Sequence, residues 1–216
     1  MISPIDITAP VQKLINRIGS AYAHEIISVI PEPTAKSESC YNNIGDKVAR
    51  DGGVLVYGWA VWLGDFICEG EHYAVWEDDN GNLIDITPHQ TDVNKLLFIP
   101  DDRFSYEGKY ISNIRVGIAD NPLIEHFMLL SEMKDYLMQF ATRIDDEKIN
   151  FNTYTGNMYN HYNTLHGNVQ LYLREGGKFG SLCYCKSLKP YSKCHGKNLL
   201  SAIEVDKKNI EKINVK

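Results

Sequence analysis

No run of apolar residues in the 216-residue chain approaches the roughly 18 that a membrane-spanning helix needs. Nothing is therefore expected to cross a bilayer. A positive charge balance is missing too: 22 Lys and Arg stand against 28 Asp and Glu, a net charge of −6. That argues against nucleic acid held by the whole surface, though not against a local basic patch. The start, Met1-Ile2-Ser3-Pro4-Ile5-Asp6, has neither a basic n-region nor an apolar h-region, so no signal peptide is expected. Cysteines are few, five in all, and an odd number makes a poor disulfide framework. Three of them cluster beside a histidine, which reads as metal ligation in a reducing, cytoplasmic setting. No internal repeat or low-complexity tract stands out. The remainder is ordinary globular composition, 44% apolar and 23% charged, long enough to bury one sizeable core with a small appendage.

Residues 10–30 place Val11, Leu14, Ile15, Ile18, Tyr22 and Ile26 at helical spacing and predict one amphipathic helix ended by Pro31-Glu32-Pro33. His24 on it reads as a surface residue. Ser37-Glu38-Ser39 offers caps for a second helix with Cys40 in its first turn. The period then changes. Val54–Leu63 is β-branched and aromatic, as a buried strand would be. Ile67–Glu77 is a second strand that sets Cys68, Gly70, His72, Ala74 and Trp76 on one face. Asp78-Asp79-Asn80-Gly81 is a hairpin turn, and Asn82–Thr87 returns antiparallel to Pro88. Further strands are expected near 95–100 and 110–118. A long helix should run from Leu123 to about Ile144, its methionines filling core, with a solvated acidic end at 145–148. Another helix is expected around Met158–Glu175, and Gly176-Gly177 marks a boundary. The expected domains are thus an α+β core, 1–177, with an antiparallel sheet flanked by helices, and a small C-terminal zinc knuckle and tail, 178–216.

Chemistry concentrates in Cys40–Pro88, where thiol, imidazole and carboxylate occur in the order Cys40, His72, Asp85. A helix N-terminus and a nearby imidazole favour a thiolate, and a carboxylate can fix the imidazole tautomer. The register is open. With Asn80-Gly81 as a two-residue turn, residue 72 pairs near residue 89, whereas a longer loop or bulge shifts the pairing. Cys68, among apolar neighbours, reads as core.

A second signal is Cys183-x-Cys185, eight residues, then Cys194-His195. Two closely spaced ligand pairs joined by a short loop suit one tetrahedral zinc ion, and four protein ligands leave no open position, so the zinc is expected to be structural. Lys178, Lys186, Lys189, Lys193 and Lys197 surround it. They form either a solvated face or a surface for an acidic protein or phosphate backbone.

This segment resembles the SEC-C motif, a small zinc-binding segment. It shares the Cys-x-Cys, the spacing, the Cys-His pair and the following Gly196, but has Lys186-Ser187-Leu188 where the motif carries glycine-serine-glycine. The resemblance implies zinc binding and docking of another protein. The stretch His72-Tyr73-Ala74-Val75-Trp76 with Asp85-Ile86-Thr87-Pro88 resembles the core of the transglutaminase-like and papain-like cysteine hydrolases. By that resemblance Cys40 is the nucleophile, His72 the base and Asp85 the orienter. By the same resemblance the Cys40 N–H and a second, unidentified donor would hold the oxyanion, Trp59 being one candidate. The expected function is a thiol-dependent hydrolase or acyltransferase at amide bonds (peptidase, deamidase or transglutaminase-like) with a protein or peptide substrate. The alternative is a non-catalytic zinc-containing adaptor that binds a protein partner, and nucleic-acid binding is the least favoured by charge.

Overall fold

The computed structural model describes residues 1–144 and 148–214, without the side chain of residue 214. The acidic stretch 145–147 lies outside the described residues. Two compact units emerge, one of residues 1–118 and one of Ala119–Ile144 together with the residues from Lys148 onward. Among the described residues no helix is long and apolar enough to cross a membrane.

The first unit opens with α1 (Ala9–Ile18), which buries Val11, Leu14 and Ile18. The single helix expected over 10–30 is corrected here. Gly19 turns left-handed at φ 60° and its N–H closes on the Ile15 carbonyl, a glycine C-cap that ends the helix. The β-branched run that follows becomes β1 (Glu25–Val29), with Ile27 and Val29 inside. Helical spacing of Tyr22 and Ile26 was coincidental, because a left-handed glycine resets the chain direction between them.

Helix α2 (Cys40–Asp51) leads into β2 (Val54–Leu63) and β3 (Ile67–Glu77), then β4 (Leu83–Asp85), β5 (Lys95–Pro100) and β6 (Ile114–Gly117). Strand β2 pairs with both β3 and β5, β5 with β1, β1 with β4, and β4 with β3. Five strands therefore close into a barrel-like ring, and β6 adds to the outer length of β3. The β1–β4 pairing is parallel and the others are antiparallel. This corrects the expected antiparallel sheet: the unforeseen β1 bridges β4 and β5 and closes what would otherwise be an open meander. The fold remains mixed α+β.

Apolar alternation sorts the core. Ile27, Val29, Ala60, Tyr73, Val75, Leu96 and Phe98 pack together with Cys40. On another face α1 lays Val11, Leu14 and Ile18 over Trp59, Val61, Cys68, Leu97 and Ile99. Helix α2 places Ile44 over Ala74 and Ile86. Cys68 is fully buried in the α1 layer, a packing position.

In the second unit, α3 (Pro122–Met138) starts at an Asn121 cap whose side chain accepts from the Leu123 N–H. It ends before the expected Ile144, because Thr142–Arg143 (β7) pairs instead with Ile149–Asn150 (β8). Helix α4 spans Thr153–Arg174, and α5 (Leu199–Asn214) was not foreseen. The Tyr162 hydroxyl donates to Asp206 at 2.6 Å, tying α4 to α5.

Candidate metal centre and the predicted thiol site

The knuckle is a short reversal of chain in the second unit. Leu182 and Pro190 form an antiparallel bridge, and the Cys183 N–H donates to the Lys189 carbonyl at 2.9 Å. The Lys186 N–H then folds back on the Cys183 carbonyl at 3.0 Å, bringing Cys183 and Cys185 to one side. Making this turn puts Lys186 and Leu188 in the left-handed region, each at φ 60°. Those are the two positions at which the resembled motif has glycine.

The second ligand pair is set by Gly196. A Cβ there would lie 2.5 Å from the Tyr191 ring and 3.1 Å from its carbonyl oxygen, so only glycine lets the chain close over this buried tyrosine. An aromatic floor supports the site: Tyr184 lies tilted against His195 with ring centroids 4.7 Å apart, and Tyr172 donates to the Leu182 carbonyl at 2.8 Å.

The four ligand atoms of Cys183, Cys185, Cys194 and His195 all lie within 4.8 Å of one another. Cys183 Sγ is 3.2 Å from His195 Nδ1, Cys185 Sγ is 3.5 Å from Cys194 Sγ, and Cys194 Sγ is 3.5 Å from His195 Nδ1. Two sulfurs bound about 2.3 Å from a tetrahedral zinc stand roughly 3.8 Å apart, so the donor set fits. The Ser187 hydroxyl and N–H hold the Cys185 thiol down to about 6, favouring the thiolate that a metal needs. Burial pushes Cys183 the other way. A Cys3His group that can hold one metal ion is thus assembled from the residues expected to do so.

The predicted thiol site is arranged differently. Cys40 is the first residue of α2, as expected, but it is only 6% exposed. Burial pushes its thiol up to about 12, only partly offset by the Ala74 N–H. The expected serine cap does not form: Ser39 makes no side-chain cap, and its buried Oγ has no partner.

His72 lies opposite Trp59 across β2 and β3. Its Nδ1 is 2.9 Å from the Tyr41 hydroxyl and its Nε2 is 3.2 Å from the Phe104 carbonyl. A carbonyl only accepts, so Nε2 carries the proton and Nδ1 is bare, sharing the single Tyr41 hydroxyl proton with the His72 carbonyl oxygen, which lies 2.8 Å from that hydroxyl. Burial lowers its pKa, keeping the ring neutral at pH 7. Asp85 is fully buried and serves other groups. It accepts the Thr87 N–H at 2.9 Å, meets His89 Nε2 at 2.6 Å, and takes the Tyr73 hydroxyl at 3.3 Å.

Register explains why His72 and Asp85 stay apart. Trp76 pairs with Ile84 and Glu77 with Leu83, so the loop between β3 and β4 holds one residue more than the tight two-residue turn. That single residue turns Asp85 to the side of Tyr73 and Val75, while His72 shares the opposite side with Ala74 and Trp76. Trp59 donates its indole N–H to Asp101 at 2.8 Å and so is already engaged. Sequence reasoning missed His89 as the partner of Asp85. The signal was an aspartate and a histidine four apart around Pro88.

No protein-family model, curated protein or solved structure matches this chain.

Proposed function

We propose that this is a zinc-containing adaptor, in which residues 178–216 carry a structural zinc ion and present a docking surface for a protein partner. The observation that supports it is the Cys3His group, whose donor atoms already stand at near-tetrahedral separations. Cys183, Cys185, Cys194 and His195 would hold the ion, and the resemblance to the SEC-C motif points the same way. Around it Lys178, Lys186, Lys189, Lys193 and Lys197 are exposed, and Leu182 and Leu188 are 63% and 82% exposed. A basic rim around apolar side chains suits an acidic protein surface with a hydrophobic contact at its centre. The test is metal analysis of the purified chain, then cross-linking capture by wild type against a Lys186→Glu, Lys189→Glu, Leu188→Ala variant. One zinc per chain and a salt-sensitive capture lost in the variant are expected. A metal-free folded chain would end this reading.

A second reading keeps a thiol-dependent hydrolase or acyltransferase at amide bonds, with a peptide substrate. It is favoured by Cys40 at the first residue of α2 and by the Asp85–His89 pair at 2.6 Å. Tyr73 packs with Cys40 and also reaches Asp85. Its demand is a reactive thiol, so selective alkylation of Cys40 near neutral pH that is slowed by His72→Ala or His89→Ala is the measurement that would raise it above the adaptor.

A further inference from the structure

The four knuckle ligands are not equivalent. Cys183 is 4% exposed, beneath the chain and beside His195 Nδ1. Cys185 is exposed and Cys194 half-buried, and their sulfurs are 3.5 Å apart. The surface thus meets a close thiol pair, while the third thiol is covered.

We propose that Cys185 and Cys194 are a modification site, a thiol pair that a hydroperoxide closes to a disulfide, with loss of the metal. The proposal rests on the zinc reading above. Cys185 attacks one peroxide oxygen, the O–O bond breaks, and the sulfur becomes a sulfenic acid as the other oxygen leaves as water. Cys194 then attacks that sulfur, the S–S bond forms, and the hydroxyl leaves as a second water. In the zinc-loaded chain both sulfurs are thiolates, so two thiolates, one hydrogen peroxide and two protons from solvent give one disulfide and two waters and free the zinc ion; the sulfurs lose two electrons and the peroxide gains them. Cys185 is the first attacker because it is the exposed thiol, and Cys194 resolves because its sulfur is already alongside. Only a shift from 3.5 Å to a bond of about 2.05 Å is needed. Cys183 and His195 alone are two ligands, too few to keep a structural zinc ion. Ser187, whose Oγ is 3.3 Å from Cys194 Sγ, lies on the short loop that must flex.

The test uses the full zinc-loaded chain. Its metal content is measured first, then it is titrated with hydrogen peroxide. Released zinc is followed with a chromophoric chelator, and the products are mapped as non-reduced peptides. The expected result is a Cys185–Cys194 disulfide appearing in step with release of the zinc, both reversed by dithiothreitol and added zinc. A disulfide that includes Cys183, or zinc retained at complete oxidation of other thiols, overturns the inference while leaving the zinc centre standing. Sulfinic acid at Cys185 with Cys194 still a free thiol does the same. A chain that contains no metal before peroxide overturns both. A Cys40→Ala, Cys68→Ala variant, which keeps every knuckle ligand, must behave as the wild type does.

Discussion

Lys186 and Leu188 hold the left-handed region without being glycine, and that offers a sharp test of the knuckle geometry. An L-residue there costs roughly 1–2 kcal/mol relative to the right-handed region. Glycine removes that cost but adds freedom to the unfolded chain worth about 0.5–1 kcal/mol. Lys186→Gly and Leu188→Gly should therefore each stabilise the closed knuckle by about 0.5–1 kcal/mol. Where the turn closes only with metal, that gain appears in zinc affinity as a roughly two- to five-fold tightening per substitution. The assay is competition for zinc against a chromophoric chelator at fixed pH, beside the melting temperature of the loaded protein. Ser187→Gly is the control, because its backbone is not left-handed and its hydroxyl touches the Cys194 sulfur; it should weaken binding. Lys186→Gly and Leu188→Gly weakening zinc as much as Ser187→Gly would refute the strain argument.

Other outcomes follow from the same geometry. Gly196→Ala drives a methyl into the Tyr191 ring and should cost about 1–3 kcal/mol, seen as a lower melting temperature of the zinc-loaded chain. Chelation should unpack the Tyr172, Tyr184 and Tyr191 cluster and reduce the near-ultraviolet circular dichroism, restored by zinc. Native Cys40, with its thiol raised from 9.0 to about 12, should hold about a thousandfold less thiolate than an ordinary thiol at pH 7.5 and alkylate far more slowly; rapid labelling would refute its burial. His72 is held below 6.5 in the folded chain, so the unfolded chain binds its proton first. Stability should be intact above about pH 6.5 and fall as pH drops below it, and His72→Asn should flatten that slope in denaturant titrations.

Much of this was legible in the sequence because it was local. The ligand spacing of Cys183, Cys185, Cys194 and His195 needs only a short loop to bring four donors together. Strands β2 and β3 followed from their β-branched runs, and α2 from its own helical pattern starting at Cys40, although the serine cap expected before it does not form. What escaped was set by single residues or by distant partners. Gly19 ended a helix that apolar spacing would have continued. One extra residue in the β3–β4 loop decided which face Asp85 took, and no composition rule distinguishes a two- from a three-residue loop at Asp78–Gly81. The fate of His72, between Tyr41 and the Phe104 carbonyl, depends on a segment 32 residues further along. The knuckle's exposed lysines were readable, but the left-handed backbone beneath two of its loop residues was not.

The closing strand has a cost in time. Strand β1 lies near the start of the chain, yet its partners are Ile84 and Asp85 on one side and residues 95–98 on the other. At about 5–20 residues per second of synthesis, residues 25–29 leave the ribosome several seconds before anything exists for them to pair with. During that interval Ile26, Ile27, Val29 and Ile30 form an unpaired apolar segment. Because loop closure precedes any reward from such distant pairing, ring closure should be the slow step of folding, and β1 the segment on which a nascent chain most needs protection.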